Sequence, residues 1–128
     1  MISFESFVTE DGIPIYIQIV RHIKRGVVSG IVVNNDELPS RRVLSALLGV
    51  NPNTVQKAYR MLEDDGLIDS RLGAKSCMSL TADKIERVRN ELIETDALSV
   101  ITAMKQMGIS KSDAIALIEK YWDKEKTE

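Results

Sequence analysis

The strongest constraint on the fold is a pair of helical patterns that meet at a tight turn near residue 50. Ser40 is a good helix N-cap, and the apolar spacing that follows it stops at Gly49. Asn51 then suits the cap of a second helix and Pro52 its first position, and Gly66 ends that pattern. The first helix is expected to turn four apolar residues inward: Val43, Leu44, Leu47 and Leu48. Two short helices joined in this way predict a helix-turn-helix unit.

The second helix has two opposite faces. Its apolar stripe consists of Val55, Ala58, Tyr59 and Leu62. Its polar stripe consists of Asn53, Gln56, Lys57 and Arg60. Amide and basic side chains bind base edges and phosphates in the major groove of DNA, and the Thr54 methyl group can contact thymine. An ordinary solvent-exposed helix also has a polar stripe, but it usually mixes Glu with Lys, whereas this face has no acidic residue before Glu63.

The sequence around this unit predicts a winged helix-turn-helix domain. Helical spacing over 14–29 predicts a helix before it. After it, the alternating segments 67–71 and 76–80 predict a small hairpin. The fold class is therefore mainly α with a small β-hairpin, and the DNA-binding domain is expected to cover 1–80.

A short C-terminal helical region is expected over 81–128. Thr81 can cap a fourth helix, Thr95 or Asp96 can begin a fifth, and Ser110 can cap a sixth. The breaks between these helices are inferred from capping residues. The whole chain is therefore predicted to contain six helices.

The distribution of charge is more informative than its total. The formal net charge is −2, with 17 basic and 19 acidic residues, which is unusual for a protein that binds nucleic acid. Between residues 38 and 62, however, there are four basic residues and no acidic one: Arg41, Arg42, Lys57 and Arg60. A local positive face is sufficient for phosphate contact, because counterions are released locally.

The remaining reactive residues indicate no chemistry beyond binding. His22 is the only histidine and is expected to be partly exposed or at the edge of the core, without a metal. Cys77 is the only cysteine, which excludes an internal disulfide and favours an inert thiol. No catalytic pair and no phosphate-binding glycine loop is present, so neither an enzyme nor a cofactor is expected. Without a membrane span or a signal peptide, we expect a cytoplasmic protein.

A long segment of the chain resembles a known family. The run from Leu38 to Ile68, LPSRRVLSALLGVNPNTVQKAYRMLEDDGLI, resembles the DNA-binding domain of the GntR family of bacterial regulators. The segment from Pro14 to Gly30 is similar to the first helix of that family. The segment 51–59 and the short C-terminal region are most similar to its YtrA subfamily. The match covers about residues 13 to 80 without large gaps.

The resemblance implies roles for individual residues. Arg42 matches the arginine with which the family contacts operator DNA, and Gly73 matches the wing-tip glycine that approaches the minor groove. Lys75 and Cys77 depart from the pattern, which commonly has glycine and an aromatic residue there. Four residues match the positions that contact bases or phosphates: Asn51, Asn53, Thr54 and Gln56. With the residue pattern, the complete set of candidate DNA-binding residues is Arg41, Arg42, Asn51, Asn53, Thr54, Gln56, Lys57, Arg60, Gly73 and Lys75.

The C-terminal region is expected to form a dimer. Its helices are too short and too few to enclose a pocket for a metabolite. The apolar residues that need a partner are Leu98, Ile101, Met104, Leu117, Ile118, Tyr121 and Trp122. These residues could pack within one chain, but a two-fold homodimer would match a pseudo-palindromic operator. The resemblance also implies dimerisation through this region.

Together, these features predict a dimeric, sequence-specific transcriptional repressor that binds double-stranded operator DNA. The resemblance implies that it regulates its own operon, an ABC transporter operon, or both. A protein-interaction module with an incidental polar face is the alternative, because the chain is acidic overall. The sequence identifies no small-molecule effector.

Overall fold

The computed structural model describes residues 1–70 and 75–124, and the chain divides into two compact units, Met1–Leu92 and Ile93–Glu128. The described residues form five helices and one antiparallel pair of strands. In chain order, the elements are α1 (Ile15–Ser29), α2 (Arg41–Leu48), α3 (Pro52–Asp64), β1 (Ile68–Ser70), β2 (Ser76–Met78), α4 (Ala82–Gln106) and α5 (Lys111–Trp122). The predicted fold class, mainly α with a small hairpin, is confirmed.

The helix starts follow the predicted capping chemistry. The Ser40 Oγ accepts a hydrogen bond from the Val43 amide at 3.1 Å, and the Asn51 Oδ1 accepts one from the Asn53 amide at 2.7 Å. Each bond satisfies an amide that would otherwise lack a partner in the first turn. Gly49 ends α2 in the left-handed region, with φ of 68°, which glycine adopts without steric strain. The tight turn between α2 and α3 is thus specified locally.

The core of the first unit lies where α1 and α2 pack against α3. The apolar stripe predicted for α3 is buried in full: Val55, Ala58, Tyr59 and Leu62. Tyr59 is 1% exposed, and its hydroxyl donates to the Pro39 carbonyl at 2.6 Å. This bond ties α3 to the residues that lead into α2. Burial raises the pKa of Tyr59 well above its ordinary value, while the Arg41 guanidinium acts in the opposite direction.

The inward face predicted for α2 is wrong at two positions. Leu44 is buried and Leu48 is half-buried, as predicted, but Val43 and Leu47 are 56% and 65% exposed. A helix of two turns buries only a narrow stripe, and Ser45 takes part of that stripe. The Ser45 Oγ donates to the Val50 carbonyl at 2.6 Å. The buried Ser45 hydroxyl thus has a hydrogen-bond partner in the backbone of the turn between α2 and α3.

The segment before α1 contributes two residues to the core, although its sequence has few periodic cues. Ile2 and Phe4 are buried, and the Ile2 amide donates to the Glu37 carbonyl at 2.9 Å. The buried Gln18 side chain bonds the backbone of this segment, with its Nε2 donating to the Ile13 carbonyl at 2.7 Å. His22 lies half-buried beside Phe4, with 4.6 Å between ring centroids. The segment therefore packs against α1 through side chains rather than through secondary structure.

The hairpin is confirmed, with shorter strands than predicted. Ile68 pairs with Met78 in the antiparallel register. The segment before α2 adds a further edge, since the Asn35 amide donates to the Met78 carbonyl at 2.9 Å and the Leu38 amide donates to the Ser76 carbonyl at 3.0 Å. Residues 71–74, which include the predicted wing tip at Gly73, lie outside the described residues.

The prediction of separate fourth and fifth helices is wrong. A single helix, α4, runs continuously past Thr95 and Asp96. No glycine or proline occurs within it, and the weak capping preference of two residues does not offset the loss of helical hydrogen bonds. The predicted sixth helix is α5, and its cap is confirmed by the hydrogen bond from the Asp113 amide to Ser110 Oγ at 3.1 Å.

The first turns of α4 belong to the first compact unit. Val88 is 1% exposed and packs in the core of that unit. The division into compact units falls after Leu92, whereas the sequence suggested a domain boundary after residue 80. Within the described ranges, no helix combines the length and the apolar character that crossing a bilayer requires.

We predict that Tyr59→Phe lowers the free energy of unfolding by about 1 to 3 kcal/mol, because the Pro39 carbonyl loses its buried donor. Urea denaturation at neutral pH measures this change. Tyr16→Phe, which removes the hydroxyl of a half-buried tyrosine and keeps its ring, is the control and should have no measurable effect. A Tyr59→Phe protein as stable as the parent would show that the buried hydroxyl does not hold α3 to the start of α2.

The same variant has a pH signature. Because the Tyr59 pKa is raised in the folded chain, its phenol ionises in the unfolded chain first. Its contribution to stability is therefore fully present below about pH 10 and is lost as the pH rises above that value. Tyr59→Phe should lose less stability than the parent between neutral pH and alkaline pH.

Candidate nucleic-acid interface

The outer face of α3 is the central surface of the candidate site. Asn53, Gln56, Lys57 and Arg60 are all exposed, opposite the buried stripe. Thr54 is half-buried at the edge of this face. The arrangement predicted from the sequence is thus present: a helix held from behind, with amide and basic groups directed outward. Such a helix has the dimensions and the donor set that the major groove accepts.

Asn51 has a capping role at the start of α3. Its Oδ1 is engaged with the Asn53 amide, so the side-chain NH2 is the group left to contact a ligand. The amides of the first turn and the positive end of the helix lie beside it. Asn51 therefore orients the N-terminus of α3 in addition to any DNA contact it makes.

The two arginines at the start of α2 have different environments. Arg42 is exposed. Arg41 is half-buried, with its guanidinium 5.3 Å from the centre of the Tyr59 ring. Its Nε is buried, and no group in the part of the chain that the structure describes bonds to it. Arg42 is thus the more accessible cation for a phosphate, and Arg41 is partly committed to packing.

Tyr16 belongs to this surface but is not among the candidate DNA-binding residues predicted from the sequence. The Lys57 ammonium lies 4.1 Å from the centre of its ring, a cation–π contact between α1 and α3. Tyr16 is half-buried, so the ring is anchored by packing on one side. The signal that could have identified it is an aromatic residue at the exposed margin of an apolar stripe.

The described part of the wing contributes one cation. The Lys75 side chain is 77% exposed and lies 3.0 Å from a Glu37 carboxylate oxygen. Lys75 and Arg41 line the same open groove between the start of α2 and β2. An exposed ion pair of this kind contributes little to stability and exchanges readily with other charges. Gly73, the remaining candidate, lies outside the described residues.

The site is suited to binding rather than to catalysis. In residues 1–70 and 75–124, no group of His, Cys, Asp and Glu side chains could hold a metal ion. Cys77 is a half-exposed thiol on β2 whose nearest polar contact is the Lys75 carbonyl, at 3.9 Å. The chemistry on the surface consists of amide donors and acceptors with neighbouring cations, which match base edges and phosphates.

Comparison with known proteins agrees with this geometry. Residues 15–74 match the model for bacterial regulatory proteins of the gntR family. The HTH-type transcriptional repressor YtrA of Bacillus subtilis is 35% identical over 114 residues, which cover 88% of this chain and 83% of that protein.

Solved structures agree as well. A GntR family transcriptional regulator from Listeria monocytogenes is 34% identical, with a TM-score of 0.76 over 88% of this chain and 98% of that one. The DNA-binding domain of AraR in complex with operator ORX1 is 25% identical, with a TM-score of 0.50 over 60% of this chain and 93% of that one. The chain belongs to the GntR family of bacterial regulators, and it is a transcriptional regulator with a DNA-binding helix-turn-helix that is similar to YtrA.

Proposed function

We propose that this regulator is a homodimeric repressor that binds a pseudo-palindromic operator. The observation that carries the proposal is the exposed stripe of α3 from Asn53 to Arg60, which has no acidic residue, in a winged helix-turn-helix. The name of the Bacillus subtilis relative, a repressor, supports the direction of regulation. As the regulated genes we propose its own operon, an ABC transporter operon, or both, and a cytoplasmic location follows from access to DNA.

In this proposal α3 lies in the major groove. The side-chain amides of Asn53 and Gln56 can each form two hydrogen bonds with one adenine edge. Lys57 and Arg60 reach guanine or phosphate. Arg42 anchors the unit on the backbone from the start of α2. Lys75 and the wing contact phosphates beside the groove. The backbone contacts position the protein and the amides specify the sequence.

The DNA-binding prediction is tested on a duplex that the parent protein selects from a random pool, called here the selected duplex. We expect Arg42→Ala and Gln56→Ala each to weaken binding to it by about 1 to 3 kcal/mol, because each removes a direct contact. Fluorescence anisotropy at fixed salt measures the dissociation constants. Arg89→Ala and Gln106→Ala, which truncate exposed residues of α4, are the matched controls.

Salt dependence separates the two kinds of contact. Arg42→Ala should also reduce the slope of log affinity against log salt by about one, whereas Gln56→Ala should leave the slope unchanged. If both variants bind as tightly as the parent, α3 and α2 do not form the interface. A parent that selects no duplex from the pool, and whose binding to random DNA does not weaken as the salt concentration rises, would instead favour a protein-interaction module.

The contact between Tyr16 and Lys57 generates a second prediction. Tyr16→Leu should weaken binding to the selected duplex by about 0.5 to 1 kcal/mol, because the ring no longer holds the Lys57 ammonium on the DNA-facing side. Tyr16→Phe keeps the ring and should bind like the parent. In a Lys57→Ala background, Tyr16→Leu should have no further effect. Equal losses with and without Lys57 would refute the contact as the cause.

The dimer proposal rests on the second compact unit. In the range 93–124, no residue is buried, so this unit has no core of its own among the residues that the structure describes. Trp122 is 72% exposed and Leu98 is 57% exposed. Met104 is half-buried. The other predicted interface residues are also exposed: Ile101, Leu117, Ile118 and Tyr121.

The pattern on α5 supports the same proposal. At about 100° per residue, its large apolar side chains cover an arc of roughly 160°. Five residues form this arc: Ile115, Leu117, Ile118, Tyr121 and Trp122. An arc of this width is more than one helix contact needs, and soluble monomers rarely expose such a surface. A second copy supplies the missing partner, and two-fold pairing places two recognition helices on one palindrome.

We predict that the parent is a dimer and that Ile118→Asp makes it monomeric, because the charge would be buried without a partner in the interface. Sedimentation velocity measures the mass. Ile31→Asp alters a more exposed isoleucine of the first unit and should leave the dimer intact. A monomeric parent at micromolar concentration, or a dimeric Ile118→Asp variant, would contradict the proposed interface.

A further inference from the structure

Three cations, Lys24, Lys84 and Arg87, lie around the carboxyl end of α3, the proposed recognition helix. The Lys84 ammonium, in the first turn of α4, donates to the Gly66 carbonyl directly after α3. It also donates to the carbonyl and the hydroxyl of Ser79, each at 3.2 Å. An ammonium has three donors, and these three contacts use all of them. Lys84 therefore joins the end of α3, the segment after β2 and the start of α4 at a single point.

Arg87 makes a second connection one turn further along α4. Its Nη2 donates to the Asp65 carbonyl at 2.9 Å. The Asp65 carboxylate in turn lies 3.0 Å from the Lys24 ammonium of α1. Val88, the next residue of α4, is buried in the core. The start of α4 is thus held against α3 by directional polar contacts as well as by apolar packing.

The electrostatics of this junction explain why cations are needed. The last carbonyls of a helix lack partners and carry a partial negative charge. In this chain the acidic residues Glu63, Asp64 and Asp65 add to that charge. Lys24, Lys84 and Arg87 lie where they offset it. Hydrogen bonds to fixed carbonyls add a directional constraint to the apolar packing of one helix on another.

We propose that Lys84 and Arg87 are positioning residues that fix the direction in which α4 leaves the recognition helix and thereby set the half-site spacing that the dimer accepts. The inference rests on the proposed dimerisation through residues of α4 and α5. Each base pair inserted between half-sites moves them apart by about 3.4 Å and rotates them by about 34°. A dimer with a rigid junction cannot follow this displacement and rotation, so it binds the lengthened duplex weakly. A dimer with a loosened junction can follow them.

The test compares the selected duplex with the same duplex carrying two extra base pairs at its centre, and with an isolated half-site. The full-length parent should bind the lengthened duplex at least about 10-fold more weakly. We expect Lys84→Met and Arg87→Met to reduce this ratio to about 3-fold or less, while the half-site is bound as by the parent. Arg89→Met removes the same charge from an exposed position of α4 and should keep the parent ratio.

The outcomes are distinguishable. If either variant is folded by circular dichroism and keeps the parent ratio, or weakens all three duplexes equally, its residue has only a structural role and the inference is overturned for it. If Lys84→Met does not fold, Arg87→Met decides the question, because its contact is exposed. A parent that binds both spacings equally, and both more tightly than the half-site, would overturn the rigid junction but leave the dimeric operator standing. A parent that binds all three duplexes equally would refute the dimeric operator itself.

Discussion

Burial of one stripe of α3 is the constraint on which the rest of the structure depends. Because α1 and α2 pack against that stripe, the opposite stripe is held outward and cannot be used for packing. The bond from the Tyr59 hydroxyl to the Pro39 carbonyl extends this constraint to the start of α2, where Arg42 lies. A rigid core behind the helix removes the cost of ordering its backbone on binding, so that only the side chains have to be ordered by DNA.

Charge is distributed along α3 in a way that suits this role. As far as Arg60, the outer face of the helix has amides and cations only, whereas the acidic residues Glu63, Asp64 and Asp65 occur together at its C-terminal end. There, Lys24 and Arg87 contact Asp65, and Lys84 bonds the Gly66 carbonyl. An acidic protein can therefore present a positive face to DNA, since its negative charge at this end is offset within the fold.

The agreement between sequence and structure was closest where local chemistry decides the outcome. The caps at Ser40 and Asn51 and the two stripes of α3 were predicted correctly, because hydrogen-bonding side chains and helical periodicity act over a few residues. Val43 and Leu47 were assigned to the wrong face, because the burial of a short helix depends on the neighbours that reach it. The break at Thr95 was also wrong, since a capping residue ends a helix only where the chain must turn.

The sequence by itself determined the helix-turn-helix, the polar face of α3 and the family, because these depend on residue type and spacing. Only the tertiary structure brought Tyr16 beside Lys57, buried Ile2 and Phe4 in the core and placed Lys84 on the end of α3. Such contacts join residues far apart in the chain, and their geometry follows from packing, which no local pattern encodes. The helix-turn-helix is therefore a local feature, whereas the contacts that join it to α1 and to the start of α4 are not.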